Sequence, residues 1–81
     1  MDFDHTKIEM KPVTGKDGKP STNIGKAGYD PATKTFKIYF LSGGTYLHHD
    51  VPQDVYDDWQ AADSKGGAYH RTMKRFRHTK V

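Results

Sequence analysis

Residues Thr35–His49, TFKIYFLSGGTYLHH, decide how this chain folds. Phe36, Ile38 and Phe40 recur at every second position, the period of a strand with one buried face, and Lys37 and Tyr39 fall between them. Ser42-Gly43-Gly44 interrupts the alternation with residues that tolerate positive φ. It then resumes, with Tyr46 and His48 on one face and Thr45, Leu47 and His49 on the other. The stretch reads as a β-hairpin.

Upstream, Ile24–Tyr29 reads as a strand punctuated by Gly25 and Gly28, and glycine inside a strand marks a bulge or a close backbone approach. Asp30-Pro31-Ala32-Thr33 has the composition of a type I turn leading into the hairpin. Before it, Thr14–Pro20 reads as a solvated loop. Its glycines and lysines lack both the spacing of a phosphate-binding loop and the helix that should follow. Ile8, Met10 and Val13 alternate loosely enough to add an edge strand, although residues 1–20 as a whole are expected to be a flexible segment ahead of a domain at 21–81.

Downstream the period changes to that of a helix. Asp50 is the expected N-cap, with Gln53 reaching back to it and Pro52 in the first turn. Val55, Tyr56, Trp59 and Ala62 form the apolar stripe, and Trp59 is the expected anchor on the sheet. Asp63 or Ser64 is placed to cap a second helix whose stripe is Tyr69, Met73 and Phe76. The expected fold is α+β: a three-stranded antiparallel meander followed by one or two helices packed on one face.

Composition narrows the function. The chain has 81 residues and no cysteine, which excludes disulfides and thiolate metal sites. No apolar run is long enough for a membrane span, so a cytoplasmic protein with no membrane contact is expected. The net charge of +3 is segregated: residues 1–20 balance, residues 21–63 sum to −3, and residues 64–81 carry six bases and no acid. That asymmetry points to an anionic partner or to charge balance within the fold.

His48 and His49 are adjacent on a strand and face opposite ways, so they cannot share an ion without a bulge; His48 is read as a histidine at the edge of the core. There is no cysteine nucleophile, no nucleophile elbow and no compact acid–base pair. A non-catalytic domain without cofactor or metal is expected. Aromatic rings on a sheet beside a basic helix are parts that stack bases and hold phosphates. The expected nucleic-acid or anion contacts are Arg71, Lys74, Arg75 and Arg77 on the second helix, with Tyr39 and Lys37 on the outer face of the sheet.

From Ser21 to about Phe76 the sequence resembles the KTSC domain, named for its place at the C-terminus of some lysyl-tRNA synthetases. Ser21 and Ile24 carry the resemblance, followed by Gly28-Tyr29-Asp30 and by Phe36, Ile38 and Phe40. It continues through Gly44, Tyr46, Val51-Pro52, Val55-Tyr56, Ala62, Ser64 and Gly66. The second tyrosine of the family's Tyr-x-Tyr is His48 in this chain. The resemblance implies a small bacterial or phage domain, with RNA binding suggested for the family. Three readings follow: a binding domain for RNA or another nucleic acid through the basic C-terminal surface; a protein-interaction or inhibitor module; and a small homo-oligomer that captures an anionic nucleotide.

Overall fold

A computed structural model describes residues 5–14, 18 and 23–81, and its centre is the hairpin. The strands are β1 (Lys11–Pro12), β2 (Ile24–Asp30), β3 (Thr35–Phe40), β4 (Thr45–His48) and β5 (His78–Lys80). They form one antiparallel sheet in sequence order, β1-β2-β3-β4-β5. The three expected strands are therefore the middle of five. Expected residues Thr14–Pro20 and Ser21 lie mostly outside the described part of the chain.

The pairing register fixes the two faces. Ala27, Ile38 and Tyr46 align across one face, as do Tyr29, Phe36 and His48. Gly28, Lys37 and Leu47 align on the other, with Lys26, Tyr39 and Thr45 beside them. A register shift between Ile24 and Lys26 keeps Ile24 on the inner face and leaves Gly25 outward, where its missing side chain makes room for the Tyr39 ring. Gly44 turns the hairpin with φ of 99°, a conformation that suits glycine.

The inner face carries both helices, α1 (Gln53–Ala61) and the short α2 (Lys65–Ala68). Phe36 and Ile38 are fully buried, and Trp59 stands edge-on to Phe36 with ring centroids 4.9 Å apart. The Trp59 indole N–H donates to the Lys65 carbonyl, so the anchor of α1 also fixes the start of α2. Ser64 caps α2 through the Gly67 N–H, one of the two expected caps.

The start of α1 differs from expectation. Its N-cap is Pro52, with no side-chain capping bond, and Gln53 donates instead to Asp57. Asp50 adopts φ of 58°, a left-handed turn that aims the chain away from β4, so the next residue's N–H reaches the Lys34 carbonyl. Tertiary pairing sets that geometry, and an aspartate tolerates it.

The second expected helix also differs. After α2 the chain widens into a π turn at Tyr69–Met73, closed by the Lys74 N–H donating to the Tyr69 carbonyl, and then turns into β5. Arg77 lies beyond this helical segment. On the opposite side of the sheet, a 3-10 turn at His5–Lys7 leads to Ile8, which is buried against Gly28. The Glu9 carbonyl occupies the space that a side chain at Gly28 would need. No helix among the described residues is long and apolar enough to cross a membrane.

Two outcomes are expected. Trp59→Ala should lower the unfolding free energy by about 3–5 kcal/mol, as core aromatic truncations do, in urea melts followed by circular dichroism. An unchanged midpoint would refute the packing of α1 on Phe36. Gly28→Ala should displace residues 5–14, because its Cβ would collide with backbone rather than with a flexible side-chain tip. Amide exchange at Val13, whose N–H donates to the Gly25 carbonyl, should then accelerate.

Candidate nucleic-acid interface

Strand β5 brings together residues that sequence spacing leaves apart. Its register pairs His78 with His48 and Lys80 with Tyr46, so both β5 side chains emerge on the inner face at the edge of the sheet. There His78 borders a cleft of about 290 Å³ lined with it by Phe40, Ser42, Gly43, Tyr46, Tyr69 and Lys74. The Lys80 side chain lies against Gly44 of the hairpin turn, which the Tyr46 ring also approaches.

The floor of the cleft is aromatic and interlocked. Phe40 meets Tyr46 and Tyr69 edge-to-face at 5.9 and 5.1 Å, and Tyr46 meets His78 edge-to-face at 5.8 Å. Such contacts fix ring orientation and leave ring surface toward the opening. Among the described residues, no carboxylate side chain lines this cleft. A larger one of about 390 Å³, between β1 and α1, includes Glu9 and lies beside the acidic helix, an unfavourable setting for an anion.

Beneath the floor, His48 is almost wholly buried, not at the edge of the core as expected. Its Nδ1 lies 3.3 Å from the Phe76 carbonyl and its Nε2 lies 2.8 Å from the Tyr69 hydroxyl. A carbonyl can only accept, which assigns the proton of the neutral ring to Nδ1 and makes Nε2 the acceptor from Tyr69. Burial lowers the His48 pKa below 6.5; the Phe76 carbonyl opposes this, while His78 and His49 add to it. Burial likewise raises the Tyr69 pKa, which keeps its hydroxyl a donor. The pair ties the π turn to β4 and thereby holds Lys74 opposite His78.

The six expected contact residues are dispersed. Lys74 lines the cleft. Arg71 folds back against Gly67, and the Arg75 guanidinium stacks 5.1 Å above the Phe76 ring. Arg77 lies 3.8 Å from Asp50 in a pair so exposed that water screens most of it. Tyr39 and Lys37 stand on the outer face, where the Lys37 ammonium donates to the His5 carbonyl. Sequence reasoning missed Phe40, Tyr46, Tyr69 and His78 as cleft residues, and Lys80 as their neighbour on the inner face. The only available signal was the alternation His78-Thr79-Lys80, too short to separate a strand from a tail.

A five-stranded antiparallel meander carrying two helices on one face defines a small α+β domain. The pattern of the KTSC domain matches residues 20–76, and the chain belongs to that family. A protein of Tsukamurella paurometabola is 45% identical over 58 residues, covering 70% of this chain and 87% of its own length. A lysine–tRNA ligase of Nostoc is 37% identical over 57 residues, which make up 69% of this chain but 10% of the ligase. The crystal structure of a KTSC domain protein from Yersinia pestis superposes with a TM-score of 0.81 at 29% identity, covering 91% of this chain and 97% of that one.

The residues that carry the family resemblance mostly build the fold. Gly28 admits the Glu9 carbonyl, the Tyr29 hydroxyl donates to the Val51 carbonyl, and Asp30 accepts from the Ala32 N–H and the Thr33 hydroxyl.

The buried histidine gives a signed pH dependence. Below about pH 6.5 the unfolded chain takes up a proton at His48 while the folded chain holds the ring neutral, so the unfolded state binds more protons and stability falls. The melting temperature should therefore drop between about pH 7.5 and about pH 5.5. In His48→Phe the melt should start lower, because the Tyr69 hydroxyl loses its acceptor, but vary less over that range. An equal slope in both proteins would assign the effect to other groups.

Proposed function

We propose that this domain is a non-catalytic binder of single-stranded RNA, held in the cleft between β5 and the π turn. The observation that carries the reading is the convergence of Lys74 and His78 on an aromatic floor, with Lys80 paired to Tyr46 beside it and no carboxylate among the described lining residues. An unpaired base can stack on ring surface there, while the two lysines meet its phosphates. A duplex keeps its bases inside and would use only the charges. Arg71 and Arg75, exposed on the neighbouring turn, add to the positive field rather than to the cleft. The related segment within a lysine–tRNA ligase, an enzyme that handles RNA, supports the same reading.

With few phosphate contacts, sequence-independent affinity should be on the order of 10⁻⁴–10⁻⁶ M at physiological salt. Fluorescence anisotropy with mixed single-stranded RNA should show binding that weakens as salt rises. The double variant Lys74→Glu with Lys80→Glu, verified as folded by circular dichroism, should lose it. Neutralising each lysine that meets a phosphate should flatten the logarithmic salt slope by roughly 0.7. Absence of binding by the folded parent at low salt would overturn the reading and pass this surface to a protein partner.

A further inference from the structure

The outer face of the sheet carries a second groove, of about 490 Å³, lined by His5, Met10, Lys26, Lys37, Tyr39, Thr45 and Val81. Among the described residues, none of its lining side chains is a carboxylate. Tyr39 is 37% exposed, with one edge of its ring laid against Gly25 at the bulge, and Lys26 is its register partner on β2. An exposed ring between lysines, held in place by a glycine beneath it, is a stacking platform.

The two grooves lie at the same level along the strands. Lys80 pairs with Tyr46 on the inner face, and the next residue, Val81, donates its N–H to the Thr45 carbonyl and lines the outer groove. The nearer edge is β5, a strand of three exposed residues, and Tyr39 lies on β3, inward of it by the width of β4. Passing from one to the other crosses a single sheet.

From this juxtaposition we infer that the RNA strand wraps the β5 edge, placing one base in the inner cleft and a later one on Tyr39. This inference rests on the proposed function and adds a second station and a path to it. The phosphates between the stations pass from Lys74 and Lys80 to Lys26 and Lys37. Arg77 takes no part, since it faces Asp50. A strand too short to round the edge reaches one station only.

The test compares a uridine dinucleotide with an oligouridylate of about ten residues, a length within the span of small single-strand binding domains. The parent should bind the longer strand more tightly than the dinucleotide. Tyr39→Ala should weaken the longer strand by roughly fivefold or more, as loss of one stacked base does, and leave the dinucleotide unchanged. Tyr39→Phe, which keeps the ring, should bind both as the parent does. Lys74→Glu should weaken both ligands. If Tyr39→Ala leaves the longer strand unaffected while Lys74→Glu weakens both, the wrapped path is wrong and the inner cleft stands; if Tyr39→Ala weakens both ligands equally, the dinucleotide sits on Tyr39 and both the path and the inner cleft fail. If the parent binds neither ligand, the cleft reading fails and the path with it.

Discussion

The burial of Phe36 and Ile38 on the central strand is the constraint on which the other contacts rest. Neither side chain retains solvent exposure. Each has a sheet neighbour on both sides: Tyr29 and His48 flank Phe36, and Ala27 and Tyr46 flank Ile38. Above them lie Trp59 and Tyr56, with Tyr29 stacked on Tyr56 at 4.6 Å. Fully burying a large apolar side chain contributes about 1.5–3 kcal/mol, a large share of the net stability of so small a domain. The helices are stable because they cover this strip; α2, with four residues, is too short to persist alone.

A second, polar layer of specification sits at the other end of the core. The His48 ring bridges the Phe76 carbonyl and the Tyr69 hydroxyl inside the fold, which satisfies all three groups. An apolar residue at that position would fill the space but leave the hydroxyl without its acceptor. Through this bridge the π turn is held at a set distance from β4. That spacing defines the inner cleft and presents Lys74 to it. The cleft is a consequence of core construction.

Charge follows the same architecture. Asp54 and Asp57 of α1 gather with Asp30 around Tyr29, whose pKa is raised by burial first and by Asp57, Asp30 and Asp54 after it. Lys74 lines the inner cleft and Lys80 lies against Gly44 of the hairpin turn, while Lys26 and Lys37 of the outer groove stand on β2 and β3. Charge asymmetry along the sequence has become polarity across the molecule. Arg77 is the exception, since the turn at Asp50 places a carboxylate beside it. The basic segment is therefore partly balanced within the fold.

The hairpin, the apolar stripe of α1 and the Ser64 cap were legible because each is written in residues close together: period two, period 3.6, and a hydroxyl three residues before an N–H. The family was legible for the same reason, since Gly28-Tyr29-Asp30 and Val51-Pro52 are local signatures of turns and close approaches. Tertiary structure decided the rest. Asp50 had the composition of a cap and became a left-handed turn, because its neighbour pairs with Lys34. Tyr69, Met73 and Phe76 had helical spacing, yet the chain widened and left the helix to reach the sheet edge. His78-Thr79-Lys80 has too few residues to favour a strand alone; it is one because β4 offers an unpaired edge. The sequence determined which residues form the core, whereas long-range pairing with β4 decided that His78 of an exposed tail would face the cleft.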